Sequence, residues 1–449
     1  MKGGRGRKPA AEPREKDERP AARARRVRSS VAVAARTVRR LARSLGARAT
    51  ETSAEKASGP GVRKPREERA VAAKTKGRRT RRLGITCYSH FGGSGVVATE
   101  LGLALARRGF EVHFIASRLP FRLRRFESNV LFHEVATATY PVFEQAPYNL
   151  ALSTKMVEVV ENYGLEILHV HYALPFAASA YLARQLLLPR QLGVVTTLHG
   201  TDITVVGLEP SYFRVTQFSI QSSDRVTAVS RFLKERTVES FGITKPIDVV
   251  YNFVDPEVFA PRRRSGLRLA PPHTRVLMHA SNFRPVKNIP TVIQVFAEVR
   301  KRVPVKLVMV GDGPEKAGAE HRVRELGAER DVLFLGNQDC MEEILPLADV
   351  FLLPSSSESF GLVALEAMSA EVPVVASNAG GLPEVIEHGV TGYLHDSGHV
   401  DGFVASVLKL LGNESLRRSM GRRARSVARE RFNVDDMVTR YINVYDSLR

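Results

Sequence analysis

The sequence predicts an α/β protein of two doubly wound parallel-sheet domains that face each other across a cleft, preceded by a basic extension. Three observations predict it. From Leu83 onward, short apolar runs alternate with helix-length stretches, the pattern of parallel strands covered on both faces. The alternation pauses over 252–274, a stretch rich in Pro and Arg, and then restarts, so two such units are expected. The chain of 449 residues is also too long for one ordinary domain.

The elements follow in order. Residues 83–88 read as the first strand, followed by the turn Gly92-Gly93-Ser94-Gly95 and a helix over 96–108 that Gly109 stops. Residues 112–116 form the next strand, and 167–171, 194–199, 225–229 and 247–251 continue the series with helices between several of them. After the pause, 275–279 is a strand, 289–303 a helix and 305–310 a strand, with further strands at 332–336, 350–353 and 372–376. The expected division is an extension over 1–82, a first domain over 83–258 and a second over 259–449. No short-period repeat points to a solenoid.

Charge separates the extension from the rest. Residues 1–82 carry 27 Lys and Arg against 8 Asp and Glu, so +19 of the net +20 lies there and the remainder of the chain is close to neutral. The extension has no aromatic residue and few large aliphatics, so disorder is expected. Its positive charge suits an arm for nucleic acid or anionic lipid; a solvated tail, or translation assigned upstream of the true start, explains it as well. Two distant cysteines, Cys87 and Cys340, indicate neither a disulfide framework nor a zinc site. No apolar run reaches membrane-spanning length, and the N-terminus lacks the apolar stretch of a secretory signal. A cytoplasmic protein is expected, and a homo-oligomer is compatible with the sequence.

In open parallel sheets ligands bind beyond the carboxyl ends of the strands, so the polar residues there are the candidates. The loop Gly92-Gly93-Ser94-Gly95 lies between a strand and a helix, where amides can approach an anion; a tight turn without a ligand would look the same. His169, His171 and Tyr172 end one strand, and Thr197, His199, Thr201 and Asp202 end another. His169 alternates with apolar neighbours and reads as structural, whereas His199 at the strand exit reads as the site histidine. Thr201 or Asp202 serves equally as a helix N-cap. No carboxylate or thiol completes a metal site around His169 and His171. In the second domain Arg284 and Lys287 stand three apart at a strand-to-helix junction, a planar fork and a point charge for phosphate. Gly311 follows the next strand, and the segment from Pro354 to Leu362 enters a helix whose amides suit a phosphate. Glu358 and Glu366 are separated by seven residues; two turns of helix would point both the same way. Glu366 falls in an apolar run and needs a partner or a ligand there.

From Leu83 to the C-terminus, about four-fifths of the chain, these motifs resemble the GT-B glycosyltransferases of family 4, a retaining group with two Rossmann-like domains. The Glu358-x7-Glu366 spacing with Ser359-Phe360-Gly361-Leu362 is similar to the group's donor motif, and Arg284 and Lys287 to its diphosphate pair. Within the group, Gly84-Ile85-Thr86-Cys87-Tyr88, His171-Tyr172-Ala173-Leu174-Pro175, the run from Thr196 to Thr204 and Tyr251-Asn252-Phe253 resemble the enzymes that open bacillithiol biosynthesis. The resemblance implies transfer of N-acetylglucosamine from UDP-N-acetylglucosamine to L-malate with the α configuration kept, without a covalent sugar intermediate, a metal or another cofactor. The absence of any Asp-x-Asp triplet agrees with that. It implies catalytic roles for His199, Arg284, Lys287 and Glu358, with the first 83–258 domain binding acceptor and the second binding donor. Donor contacts fall on Gly93, Gly311, Phe360, Gly361, Leu362 and Glu366, with the ribose on Glu366. Acceptor contacts fall on Ser94, Tyr172, Thr197 and Asn252. An inositol phosphate or a glycan is the alternative acceptor, and a nucleic-acid-binding protein acting through the basic tail the alternative of another class. Two features depart from the family: residues 1–82 lie outside it, and Ser369-Ala370-Glu371 replaces the small residues expected after the donor helix.

Overall fold

The computed structural model describes residues 81–89, 92–123, 126–138, 145–261 and 268–448. The basic extension up to residue 80, with the disorder and the nucleic-acid or lipid contacts expected of it, lies outside the described residues.

The first lobe is a seven-stranded sheet of β1 (Arg82–Thr86), β2 (Glu111–Ala116), β3 (Val130–Glu134), β4 (Ile167–His171), β5 (Gly193–Leu198), β6 (Arg225–Ala228) and β7 (Ile247–Val249). Its order is β3-β2-β1-β4-β5-β6-β7, with every pair parallel. Helices α1 (Gly93–Arg107), α2 (Tyr148–Tyr163), α3 (Ala178–Leu186), α4 (Pro210–Ser222) and α5 (Arg231–Phe241) connect it. Leu101 and Leu105 of α1 pack on one face against Leu83, Ile85 and Phe114. Met156 and Val160 of α2 with Ala180 of α3 pack on the other, against Ile115, Leu168 and Val170. The sheet is thus doubly wound.

The second lobe repeats the plan. Its strands β8 (Arg275–Ala280), β9 (Val305–Val310), β10 (Val332–Gly336), β11 (Val350–Leu353), β12 (Val374–Ser377) and β13 (Gly392–His395) lie in the order β10-β9-β8-β11-β12-β13. The longer helices are α6 (Ile289–Arg300), α7 (Lys316–Glu325), α8 (Leu362–Ser369), α9 (Val400–Gly412), α10 (Glu414–Arg431) and α11 (Val434–Asp446). Expected strands and observed ones agree within about two residues, and the differences have causes. β3 and β13 were not expected: both are edge strands, and the half-exposed Val130–Glu134 carries too little apolar signal to stand out. The expected strand at 372–376 starts later because Val372 still closes α8, its N–H donating to the Ala367 carbonyl at 2.9 Å. The turn Ser369-Ala370-Glu371 closes with Glu371 left-handed at φ 61°, where glycine would sit more easily.

The last helix belongs to the first sheet in its packing, although the sequence division puts it in 259–449. Met437, Val438, Tyr441 and Tyr445 of α11 are buried with Leu83, Leu101 and Val112. Arg81 donates to Asp446 at 2.6 Å and Arg108 to Asp435 at 2.7 Å, which fixes both ends of the helix. The chain therefore crosses between lobes twice, near 254 and near 433, and the two crossings touch: the Val254 N–H donates to the Phe432 carbonyl at 3.1 Å. Around them Tyr251, Phe360 and Phe432 meet ring to ring at 5.5–6.0 Å, so one apolar cluster continues from lobe to lobe.

Candidate active site in the cleft

Strand order reverses between β1 and β4 in the first sheet and between β8 and β11 in the second. At such a reversal the loops leave in opposite directions and open a crevice beyond the carboxyl ends of the strands. The loops after β1, β4, β8 and β11 carry Ser94, Tyr172, Arg284 and Glu358, and all four line one cleft of about 930 Å³.

On the second-lobe side, Arg284 stands exposed at the start of the one-turn helix Pro285–Lys287, with no ion-pair partner among the described residues. Lys287 Nζ donates to Glu358 Oε1 at 2.5 Å, and the same oxygen accepts from Ser355 Oγ at 3.0 Å. Glu358 is not on a helix. It sits on the loop before α8, and Gly361, left-handed at φ 91°, turns that loop into the helix. The two-turn geometry expected for Glu358 and Glu366 is thus replaced by a loop and a helix that converge on the cleft. Gly361, Leu362 and Phe360 line the cleft at this corner, as does Gly311 after β9. A Cβ on Gly311 would lie 1.8 Å from the Ser281 carbonyl oxygen, so only glycine allows the β8 and β9 loops to close so tightly. Glu366 is 6% exposed, and its Oε1 accepts from Arg122 at 3.3 Å. Burial raises its carboxyl to about 7 and outweighs the opposing effect of Arg122.

On the first-lobe side, Gly93 and Ser94 open α1, with Gly93 close to Leu362 across the cleft. Tyr172 lines the cleft together with Ser94 and Thr201, and burial raises its pKa. Its backbone is left-handed at φ 105°, an unfavourable conformation held at the strand exit. Asn252 is 6% exposed, lines the cleft and has a buried Oδ1 without a hydrogen-bond partner. A buried carbonyl oxygen left this way is a ready acceptor for a ligand hydroxyl. His199 also lines the cleft, and burial lowers its pKa to about 3, so the ring is neutral. Asp202 is 2% exposed and accepts from the backbone N–H of Ala173 at 2.9 Å, Gly200 at 2.8 Å and His199 at 3.3 Å. It acts as a staple between two strand-end loops, and neither Thr201 nor Asp202 is an N-cap, because Gly200 holds that position.

Thr197 is the exception among the expected contacts. It lies within β5, fully buried, with Oγ1 bonded to His169 Nε2 at 2.7 Å and to Thr227 Oγ1 at 2.6 Å. It does not line the cleft: its hydroxyl is turned to His169 and Thr227 inside the sheet, one strand residue, Leu198, short of His199. His169 is structural, as expected: its Nδ1 is paired with the Tyr445 hydroxyl of α11 at 2.8 Å. The other thirteen expected residues line a single cavity. Among the described residues no group of three or more His, Cys, Asp or Glu side chains is gathered as a metal site.

Comparison with known proteins agrees with this geometry lobe by lobe. Residues 91–258 match the family model described as Glycosyltransferase Family 4, and residues 268–427 match Glycosyl transferases group 1. The chain belongs to glycosyltransferase family 4. Among relatives of this glycosyltransferase, the N-acetyl-alpha-D-glucosaminyl L-malate synthase of Bacillus anthracis is 48% identical over 372 residues, spanning 82% of this chain and 97% of that protein. The D-inositol 3-phosphate glycosyltransferase of Mycobacterium tuberculosis is 32% identical over 75% of this chain and 74% of that protein. In fold, Anabaena HepE in complex with UDP and glucose superposes with a TM-score of 0.69 at 22% identity, covering 82% of this chain and 100% of that one. The two-lobed GT-B architecture is therefore established. Among the described residues no helix of the glycosyltransferase is long and apolar enough to cross a membrane.

Two residues of the glycosyltransferase were not anticipated, Arg122 in the cleft and Glu384 where the lobes meet. Arg122 lies six residues beyond the end of β2, left-handed at φ 73°, and reaches both Glu366 and Glu100. The strand-end rule points to its loop, but the loop holds four arginines, at 118, 122, 124 and 125, and nothing in the sequence singles out Arg122 among them. Glu384 of the second lobe accepts from the backbone N–H of Arg231 at 3.0 Å and Phe232 at 2.9 Å, at the N-terminus of α5 in the first lobe. A carboxylate there meets unpaired amides and the positive end of the helix.

Proposed function

We propose that this glycosyltransferase transfers N-acetylglucosamine from UDP-N-acetylglucosamine to the hydroxyl of L-malate with retention of the α configuration, the reaction that opens bacillithiol biosynthesis. The observation that carries this reading is the 48% identity to an N-acetyl-alpha-D-glucosaminyl L-malate synthase along 97% of its length. In the reaction the bond from C1 of the sugar to the β-phosphate oxygen breaks, and its electrons leave with UDP. The malate hydroxyl oxygen bonds to C1 on the face the phosphate is leaving, and its proton passes to the departing phosphate oxygen. Growing charge on the diphosphate is met by Arg284, by Lys287 and by the amides near Gly361 and Leu362, fixed groups that need no reorganisation during the step. Glu366 takes the ribose hydroxyls and Glu358 a hydroxyl of the sugar, while Gly93, Gly311 and Phe360 border the donor. His199 stands beside the transferred sugar, and Ser94, Tyr172 and Asn252 take the malate. Thr197 has no direct acceptor contact in this scheme and supports the sheet behind it. Closure of the lobes excludes the water that would otherwise hydrolyse the donor. No metal or other cofactor takes part, and with two soluble anionic substrates the reaction is assigned to the cytoplasm.

Purified protein is offered UDP-N-acetylglucosamine with L-malate or with D-inositol 3-phosphate, with UDP release followed and the anomeric configuration read by NMR. Malate-dependent release of UDP and an α-linked product, unchanged by a chelator, is expected; turnover with the inositol phosphate and none with malate would overturn the acceptor. Lys287→Ala is expected to lower kcat by roughly 100-fold with a smaller effect on donor KM. An unchanged kcat would remove Lys287 from leaving-group stabilisation.

A further inference from the structure

His171 does not reach the cleft, yet it holds a residue that does. β4 and β5 are neighbours with His171 opposite Thr197, so His171 and His199 project from adjacent strand exits. Nδ1 of His171 lies 2.9 Å from Nε2 of His199, and the rings stack with centroids 5.1 Å apart. On its other side His171 meets His169, whose centroid is 4.4 Å away. His169 offers it nothing, because both its nitrogens are engaged by Tyr445 and Thr197. His171 Nε2 is buried without a partner.

These contacts decide where the protons sit. Two neutral imidazoles can share this bond in two ways. If His199 Nε2–H donates to His171 Nδ1, the His171 proton must be on Nε2, a buried donor with no acceptor. If His171 Nδ1–H donates to His199 Nε2, His171 Nε2 is only a bare lone pair. Orphaned buried N–H groups are the rarer and costlier of the two. A charged His171 would be fully buried between two other imidazoles, and its pKa is lowered well below the usual value by burial and by those neighbours.

We infer that His171 is a positioning residue that fixes the His199 proton on Nδ1, so that His199 meets the donor sugar as a hydrogen-bond donor and not as a general base. His199 Nδ1 has no protein partner among the described residues, and the residue lines the cleft. The consequence for the sugar rests on the proposed function, which sets the donor beside His199; the tautomer itself does not. A neighbour that sets the tautomer by occupying one nitrogen is the ordinary means of directing the other.

The test reads the tautomer directly. Protein labelled with 15N-histidine is examined without substrate by long-range 1H–15N correlation, with His199 assigned by its loss in His199→Gln. A neutral His199 protonated at Nδ1 is expected, and protonation at Nε2 or an averaged signal would overturn the inference. His171→Leu is expected to abolish the preference, raise donor KM and lower kcat/KM by about tenfold or more, whereas His171→Asn, whose amide can donate from near the Nδ1 position, restores tautomer and kinetics. A Leu variant that keeps both would also overturn it. Should the Leu variant fail to fold, the wild-type spectrum still decides. Failure of malate turnover in the wild type would instead count against the proposed function and leave the tautomer standing.

Discussion

Glu366 carries opposing influences that can be separated by pH. Burial raises its carboxyl to about 7 although Arg122 lies 3.3 Å away. A group raised in the folded state binds its proton more tightly there, so its contribution to stability is complete below the unfolded value near 4.5 and is lost as the pH rises through 7. Glu366→Gln, which cannot titrate, is expected to gain stability relative to wild type between pH 5 and pH 8. The gain is on the order of 3 kcal/mol at most, read by denaturant unfolding, and a constant difference would refute the shift. Asp202 is a different case, a carboxylate that answers three backbone donors. Asp202→Ala leaves those donors without their acceptor and is expected to cost about 3 kcal/mol, seen as a lower midpoint of thermal unfolding. Both residues stand out in the sequence by their setting, one inside an apolar run and the other at a strand exit. Arg122 and Thr197 show where that reading ends. Arg122 is one of four arginines in its loop, and nothing in the sequence picks it from Arg118, Arg124 and Arg125. Thr197 is next to last in β5, but its side chain is turned to His169 and Thr227 inside the sheet, a direction set by the register.

Among the elements, α11 links the end of the chain to the histidines behind the cleft. Its Tyr445 hydroxyl bonds to His169, which bonds to Thr197 and lies against the ring of His171. Tyr445→Phe keeps the ring in the core and removes only the hydroxyl, leaving His169 Nδ1 buried and unpaired, so a loss of about 1–2 kcal/mol in unfolding free energy is expected. A variant as stable as wild type would show that this bond contributes nothing. Central strands are legible in the sequence because they are buried on both sides and read as continuous apolar runs. The edges β3 and β13 were not, and β7 is shorter than its run of residues, because an edge strand has one neighbour and less burial to record it. The amphipathic pattern of α11 shows that it buries a face, but not which sheet receives it.

At the scale of the whole molecule, the lobes meet through a few directed contacts. Ser230 Oγ donates to the Ser359 carbonyl at 2.6 Å, Glu384 accepts from the first two amides of α5, and Gly200 lies against Ser359. A Cβ on Gly200 would stand 1.6 Å from Ser359 Oγ, on a backbone at φ 124° that other residues rarely adopt. Gly200→Ala should therefore hold the lobes apart and lower kcat/KM by more than tenfold; solution scattering of a more open particle would accompany it, and unchanged kinetics would contradict it. Two similar sheets joined by a linker could be read from the alternation of strands and helices, whereas the return of the last helix to the first lobe could not. That return also sets an order of events during synthesis. Leu83, Leu101 and Val112 emerge from the ribosome before the second lobe, but Tyr441 and Tyr445, which cover them, are made only after it. The first lobe to be translated is thus the last to close its core, and its apolar face stays uncovered while the whole second lobe is being made.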